Sequence, residues 1–253
     1  MIEGTLYLVG TGPGDRAHLT PAACAAITQS AVIVGYHLYL DLLGDLLDGK
    51  EIVTAGLREE TERAQRAIAQ ARAGRTVALV SSGDAGVYGM AGLALELLAA
   101  DGWRPGDPPH VEVVPGITAA TAAAALLGAP LMHDWACISL SDLLTPWSVI
   151  RTRLEAVAVA DFVVCLYNPR SNARNWQLGE ARDILRAARG PGTPVGTVRN
   201  AGRNDQAVRT TTLAAFDPSE VDMLTTVIVG NRTTVDLGGM LYTPRGYQTR
   251  TDE

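Results

Sequence analysis

The sequence predicts an α/β protein with two α/β domains, a parallel sheet in the first, a mixed sheet in the second and an active site in the cleft between them. Apolar strand-like runs alternate with helical stretches through the first half, which is typical of a parallel sheet covered by helices. Three Gly/Pro-rich turns directly follow such runs, at residues 10–15, 82–86 and 114–119. Because open parallel sheets bind ligands beyond the carboxyl ends of their strands, we expect these turns to form three walls of one pocket.

The elements of the first half follow from apolar runs, helix caps and glycine stops. Thr20 and Pro21 open a helix, because threonine caps helix N-termini and proline fits the first turn. Gly74 ends an amphipathic helix that is rich in charge. The predicted strands are 4–10, 31–35, 51–55, 76–82 and 110–114, and the predicted helices are 21–30, 58–73, 89–100 and 118–127.

The second half repeats this alternation without repeating the turn motifs. A short polar segment separates the last two strand-like runs, which favours an antiparallel element. We place the domain boundary after residue 117, so that the domains are 1–117 and 118–253, and we expect a frayed tail at 243–253. The predicted strands are 136–141, 161–167, 193–199, 207–213 and 224–230, and the predicted helices are 146–158 and 175–189.

The composition indicates an ordinary soluble protein. Of the 253 residues, 47% are hydrophobic and 19% are charged, as in typical globular domains. The sequence lacks a membrane-length apolar run and a signal-like segment, so we expect a cytoplasmic protein with no membrane partner. The net charge of −6 disfavours nucleic acid as a partner. Because Cys24, Cys137 and Cys165 are far apart and the histidines lack ligand spacing, we predict no disulfide framework and no metal site.

The first turn, GTGPGD, fails the dinucleotide fingerprint, because Asp15 stands where that pattern requires a glycine. A phosphate loop of the form GxxxxGK[ST] is also missing from the sequence. Asp15 is interpreted as a turn or cap residue in preference to a catalyst. The sequence therefore disfavours an NAD-binding Rossmann enzyme and offers no phosphate loop.

The three turns, taken in order, carry a resemblance to a known family. GTGPGD, then SGDAGVY, then VPGITAAT resembles the tetrapyrrole methylase family of S-adenosylmethionine-dependent enzymes, over essentially the whole chain. Gly35-Tyr36, SLSDLLTPW at 139–147 and LYNPRSNAR at 166–174 are similar to the subgroup that methylates C17 of precorrin-3B in cobalamin biosynthesis. The resemblance implies methylation with ring contraction to precorrin-4. Its alternatives are the cobalt-factor III C17 reaction of the anaerobic route and methylation of another precorrin carbon by a sister enzyme.

The resemblance also implies a homodimer that uses S-adenosyl-L-methionine as methyl donor and releases S-adenosyl-L-homocysteine. Asp84 keeps two interpretations, a donor contact or a cap on the helix that follows it. Leu166 is the alternative to Tyr167. The implied donor-binding residues are Pro13, Ser82, Gly83, Asp84, Val87, Thr118, Ala119, Tyr167 and Ala201.

The implied substrate is a large acidic tetrapyrrole, precorrin-3B. Arginine suits bidentate recognition of its carboxylates, and an aromatic ring suits contact with the flat macrocycle. The candidate substrate contacts are Arg170, Arg174, Arg199 and Tyr36. Ring contraction needs proton transfer. The candidate catalytic residues are Ser141, Asp142 and Thr145, although a loop capping the helix at Pro146 would contain the same residue types.

Two rival functions come from other classes. One rival is a methylase of the same fold that acts on protein or ribosomal RNA. The acidic net charge and the lack of a basic surface interleaved with aromatic residues disfavour RNA as its substrate. A regulatory module that binds the donor without turnover is not excluded by the fold. Donor binding without methyl transfer to any corrin precursor would identify such a module.

Overall fold

A computed structural model describes residues 4–54, 56 and 59–247 of the chain. The chain divides into an N-terminal unit, Met1–Ala119, and a C-terminal unit, Ala120–Glu253. The domain boundary placed after residue 117 is close to this division and stays a prediction. The predicted strand end at residue 55, the predicted helix start at residue 58 and the last part of the expected tail, 248–253, lie outside the described residues.

The N-terminal unit contains a five-stranded sheet with the order β3-β2-β4-β1-β5. All neighbouring strands run parallel, which confirms the predicted sheet. Its strands are β1 (Thr5–Gly10), β2 (Val32–Gly35), β3 (Glu51–Thr54), β4 (Thr76–Ser81) and β5 (His110–Val114). Its helices are α1 (Pro21–Gln29), α2 (His37–Leu40), α3 (Glu60–Arg72) and α4 (Met90–Ala100), with 3-10 segments at Arg16–His18 and Asp41–Leu47.

Both faces of this sheet are covered, which explains why its inner strands read as continuous apolar runs. Leu6 and Leu8 of β1 pack in a cluster with α3 and α4, whereas Val9 packs on the other face with α1. Thr20 Oγ1 accepts a hydrogen bond from Ala23 N at 3.1 Å, so Thr20 caps α1 as predicted. This packing fixes the register of β1, because a shift by one residue would exchange the two faces.

The C-terminal unit contains a five-stranded mixed sheet with the order β10-β9-β11-β8-β7, and a small sheet with the order β12-β13-β6. Its strands are β6 (Gly128–Ala129), β7 (Trp135–Ser139), β8 (Val163–Tyr167), β9 (Pro194–Arg199), β10 (Ala207–Thr212), β11 (Thr225–Val229), β12 (Val235–Asp236) and β13 (Leu241–Tyr242). Its helices are α5 (Ala119–Leu127), α6 (Trp147–Val159) and α7 (Gln177–Arg189). Helices α6 and α7 pack in one cluster, whereas α5 packs in another.

The antiparallel pairing expected between the last two long strands, β10 and β11, is wrong, because β9 lies between them. Strand β9 pairs antiparallel with both β10 and β11, so it lies between the two strands that are adjacent in sequence. Strands β7 and β8 pair parallel, which makes the sheet mixed as predicted. Among the described residues, none of the helices has both the length and the apolar character needed to cross a membrane.

The frayed tail expected from residue 243 is wrong at its beginning. Thr243 is fully buried, and its hydroxyl donates to Pro130 O at 2.7 Å. The preceding strand β13 pairs with β6, which ties the segment into the C-terminal unit. The sequence does not reveal this pairing, because strands of two residues leave no periodic pattern.

Candidate functional site

The three Gly/Pro-rich turns lie at the carboxyl ends of β1, β4 and β5, which are neighbours in the sheet. The first two are bonded directly to each other. Gly12 N donates to Gly83 O at 3.0 Å, and Gly83 N donates to Gly12 O at 2.8 Å. Thr11 N donates to Ser81 O at 2.8 Å, which extends the β1–β4 pairing into the turns. The structure thus brings the turns at 10–15, 82–86 and 114–119 together as one glycine-turn cluster.

The third turn packs against the other two through glycines that leave no room for a side chain. A Cβ on Gly116 would overlap the Gly83 carbonyl oxygen and lie 2.6 Å from Gly10 C. A Cβ on Gly10 would lie 2.7 Å from both Gly116 N and Gly83 O. Gly83 has φ +70°, in the left-handed region that side chains disfavour. Glycine at these positions is therefore a steric requirement of the cluster.

Asp84 fastens the second turn to the third. Its Oδ1 accepts a hydrogen bond from Gly86 N at 2.8 Å, and its Oδ2 accepts one from Gly116 N at 3.0 Å. The helix-cap interpretation of Asp84 is wrong, because α4 begins at Met90 and Met90 N donates to Ser81 Oγ at 3.0 Å. The carboxylate instead holds the two turns in place, and a contact with the donor stays a prediction.

The donor residues expected in the N-terminal unit all belong to the glycine-turn cluster or border it. The Cβ side of Gly83 faces the third turn, with Ala119 N at 3.7 Å and Thr118 Cα at 3.8 Å from the position a Cβ would take. Pro13 is buried in the first turn, and Ser82, Asp84, Val87, Thr118 and Ala119 are half-buried. A wall made of glycine backbone with half-buried side chains around it fits the close approach of a nucleoside ligand.

Tyr36 lies beside this cluster at the end of β2, in an aromatic group with His37 and Tyr39. Its ring centroid is 4.3 Å from that of His37 and 5.3 Å from that of Tyr39. The guanidinium carbon of Arg63, a buried residue of α3, lies 5.8 Å from the Tyr36 centroid. Arg63 Nη2 also donates to Gly56 O at 2.7 Å. Arg63 is not among the site residues expected from the sequence, although an arginine on the apolar face of an amphipathic helix is a pattern that could have indicated it.

In the C-terminal unit, Tyr167 supports the start of α5. Ala120 N donates to the Tyr167 hydroxyl oxygen at 2.7 Å. Tyr167 lies at the carboxyl end of β8 and is half-buried, whereas Leu166 is buried in the cluster that α6 and α7 form. Of the two alternatives, Tyr167 is therefore the residue with a surface that a ligand can touch.

The two segments specific to the subgroup, 139–147 and 166–174, are joined by hydrogen bonds. Asn168 Nδ2 donates to Ser139 Oγ at 3.0 Å. Arg174 donates from Nη1 to Asn168 O and from Nη2 to Met223 Sδ, the latter at 3.4 Å. Burial lowers the pKa of Arg174, and the nearby carboxylate of Asp142 opposes that shift.

The candidate acid–base residues lie on the same connection. Asp142 Oδ2 accepts a hydrogen bond from the buried Gln177 at 2.8 Å. Ser141 N donates to Ser139 Oγ at 3.3 Å, and Thr145 is half-buried. Helix α6 begins at Trp147 without a side-chain cap, so the capping alternative for this loop gains no support.

The candidate substrate-binding arginines differ in whether they already form ion pairs with carboxylates of the chain. Arg199 donates from Nε to Asp222 and from Nη1 to Asp205, each at 2.8 Å, and these bonds raise its pKa. Arg170 donates from Nη1 to Ser219 O at 2.7 Å and makes no ion pair within the described residues. Arg170 is therefore better suited than Arg199 to receive a substrate carboxylate.

Ala201 follows a buried asparagine at the end of β9. Asn200 has φ +50°, and its Nδ2 donates to Asp205 Oδ2 at 2.7 Å. Its Oδ1 is buried without a hydrogen-bond partner. A buried acceptor beside Ala201 fits a ligand or water that donates a hydrogen bond there.

Among the described residues, no group of three His, Cys, Asp or Glu side chains is arranged to hold a metal ion.

One protein-family model matches most of the chain. The model described as Tetrapyrrole (Corrin/Porphyrin) Methylases matches residues 5–217. The chain belongs to this family. Tetrapyrrole methylases take the methyl group from S-adenosylmethionine, so family membership makes S-adenosylmethionine the donor of this chain.

Relatives of this chain are named for one reaction within the family, methylation of C17. A probable cobalt-factor III C(17)-methyltransferase of Salmonella typhimurium is 49% identical over 96% of the chain and 99% of its own length. A precorrin-3B C(17)-methyltransferase of Sinorhizobium sp is 45% identical over 97% of the chain and 98% of its own length. A cobalt-factor III methyltransferase of Priestia megaterium is 49% identical, but the chain spans 46% of that protein's length.

A solved structure of a methyltransferase also matches the chain over nearly its whole length. The crystal structure of the methyltransferase CobJ superposes with a TM-score of 0.88 at 38% sequence identity. The match covers 95% of the chain and 98% of that structure. The fold of both units is therefore that of a tetrapyrrole methylase.

Proposed function

We propose that this chain transfers the methyl group of S-adenosylmethionine to C17 of precorrin-3B in cobalamin biosynthesis, with ring contraction to precorrin-4. The observation that carries the proposal is the match to relatives named for C17 methylation along nearly the whole chain and nearly their whole length. The bonded segments 139–147 and 166–174 support it, because they are the parts of the sequence that resemble the C17 subgroup. The alternative substrate is cobalt-factor III.

The glycine-turn cluster is proposed to hold the donor. When bound, S-adenosylmethionine supplies an electrophilic methyl group on a cationic sulfur. The chain's own contribution is to orient it, because an in-line displacement depends on the position of the methyl group against the attacking carbon. The proposed donor contacts are Pro13, Ser82, Gly83, Asp84, Val87, Thr118 and Ala119 in the N-terminal unit, and Tyr167 and Ala201 in the C-terminal unit.

Arg170 and Arg174 are proposed to bind carboxylates of the substrate, and Asp142, Ser141 and Thr145 to transfer protons within the macrocycle during ring contraction. Arg174 donates to Asn168 O within its own segment and lies near the carboxylate of Asp142 in the other. Arg199 and Tyr36 stay candidate substrate contacts. The half-buried ring of Tyr36 presents an aromatic surface, and the Arg63 guanidinium lies over the same ring, 5.8 Å from its centroid.

Arg170→Ala is expected to raise the KM for the tetrapyrrole about 10-fold or more, because one charge-assisted hydrogen bond is lost. The affinity for S-adenosylmethionine, measured by calorimetry, should not change. Arg153→Ala, an exposed arginine on α6, is the matched control and should leave both quantities unchanged. Equal losses of substrate and donor affinity in Arg170→Ala would contradict the assignment.

The proposed function is tested by anaerobic incubation of the purified protein with S-adenosylmethionine and either precorrin-3B or cobalt-factor III. Mass and absorption spectra should show one added methyl group and the spectral change of a contracted ring on one of the two substrates. The substrate that reacts identifies the metal-free or the cobalt-bound route. Donor binding without a mass change on either substrate would reject the proposed function and favour a regulatory module.

We also propose that the protein is a homodimer in the cytoplasm. Large apolar side chains are exposed around the turn between β12 and β13, with Leu237 64% and Met240 59% exposed. Exposed apolar surface of this kind is suited to contact with a second copy. Sedimentation velocity should give a dimer, and Leu237→Asp should shift it to a monomer. A monomeric wild type would contradict this part of the proposal.

A further inference from the structure

Asp15, the last residue of the first turn, pairs with His18, and neither residue has a role in the function proposed above. Asp15 Oδ1 accepts hydrogen bonds from His18 N at 2.9 Å and from His18 Nδ1 at 2.5 Å. A carboxylate oxygen only accepts, so Nδ1 carries a hydrogen, and in the tautomer that this bond selects Nε2 is the acceptor. Both side chains are partly exposed, 39% for Asp15 and 49% for His18, so Nε2 is within reach of a ligand.

The Asp15–His18 pair is rigidly connected to the glycine-turn cluster. A Cβ on Gly12 would lie 2.6 Å from His18 O, so the backbone of His18 packs directly on the first turn. Gly12 is in turn bonded to Gly83 of the second turn. Thr20 Oγ1, just beyond the pair, donates to Pro115 O of the third turn at 3.3 Å. All three turns therefore position the segment that carries the imidazole.

A small hollow beside the pair adds an apolar surface. Its lining residues are Thr11, Gly14, Asp15, Arg16 and Leu19 from the first turn and its continuation, and Leu42, Leu43 and Leu46 from the 41–47 segment. The charged groups at this rim are Asp15, His18, Arg16 and Asp45, and the last two pair with each other. The hollow itself is too small for an organic ring, but its half-buried leucines give the surface near the imidazole an apolar part on which such a ring can pack.

We propose that His18 Nε2 accepts the proton that the tetrapyrrole releases when it is methylated, and that Asp15 is the positioning residue for the imidazole. This inference rests on the proposed function. During transfer the sulfur–carbon bond breaks with its electron pair left on sulfur, and a new carbon–carbon bond forms from a pair of the macrocycle. The macrocycle gains one positive charge and restores its charge by losing one proton. His18 takes that proton as an imidazolium held beside the Asp15 carboxylate, then returns it to water.

The test compares single-turnover methyl transfer in the wild type, His18→Ala and Asp15→Asn. His18→Ala should slow transfer about 100-fold, the lower end of the range for general acid–base catalysis, and added imidazole should restore part of the rate. Asn also caps helices, so Asp15→Asn keeps the backbone bond to His18 while losing the carboxylate. It should slow transfer about 10-fold or more, since the imidazole tautomer is no longer fixed.

His110→Ala is the matched control, because His110 is an exposed histidine of the same unit on β5, and its rate should equal the wild type. Donor affinity, measured by calorimetry, should be the same in all variants. A full rate in His18→Ala, or a loss that imidazole does not restore, would overturn the acid–base assignment alone. Absence of methyl transfer by the wild type would overturn the proposed function, and the inference with it.

Discussion

Gly116→Ala is expected to lower kcat/KM for methyl transfer about 100-fold, the effect of a displacement of about 1 Å near the reacting groups. The added Cβ would overlap the Gly83 carbonyl oxygen, so the third turn must move away from the second. That movement also breaks the bond from Gly116 N to Asp84 Oδ2. We expect the affinity for S-adenosylmethionine, measured by calorimetry, to fall together with kcat/KM.

Gly92→Ala is the matched control for that variant. Gly92 lies in α4, and a Cβ there would meet no heavy atom within 4 Å. Alanine is a better helix former than glycine, so this variant should gain about 0.5–1 kcal/mol of stability and keep its full activity. Wild-type donor affinity in Gly116→Ala would contradict the assignment of the glycine-turn cluster as the donor site.

Arg189→Met is expected to reduce the free energy of unfolding by about 3–5 kcal/mol, because it removes the buried guanidinium that donates to the buried Gly230 carbonyl and to two half-buried carbonyls. Arg189 donates to Gly230 O at 2.7 Å, to Val157 O at 3.1 Å and to Phe162 O at 2.5 Å. Its guanidinium therefore links the end of α6, the start of β8 and the end of β11. Burial lowers the pKa of Arg189 to about 10, so the group stays charged at neutral pH.

Arg186→Met is the control for this prediction. Arg186 lies one turn earlier in α7 and is exposed, so its replacement should change stability by about 0.5 kcal/mol or less. Chemical denaturation followed by circular dichroism measures both variants. Equal stability of Arg189→Met and the wild type would show that the three carbonyls find other donors.

The secondary structure could be predicted from the sequence because its signals are local. Strands β1, β2, β4 and β5 of the N-terminal unit are buried on both faces or end in a glycine turn, and both features are visible as residue patterns. Thr20 and Pro21 mark the start of α1 in the same way. The short strands β12 and β13 give no such signal, which is why the order around Thr243 was not predicted.

The interactions of charged side chains could not be predicted, because they depend on residues distant in sequence. Asp84 contacts Gly116, and Arg199 contacts Asp222, in each case across more than twenty residues. Arg63 and Arg189 are buried although arginine is usually exposed. The motif order predicted that the three turns lie together, and the structure shows that the Asp84 side chain holds the second turn against the third.

The most direct test of the C17 assignment is the position of the new methyl group in the product. The purified protein is incubated with S-adenosylmethionine labelled with ¹³C in the methyl group and with whichever substrate it turns over. The carbon spectrum of the product should contain one labelled methyl group, bonded to C17 of the macrocycle. A label on another ring carbon, such as C11 or C20, would contradict the C17 assignment and identify the chain as a sister methylase.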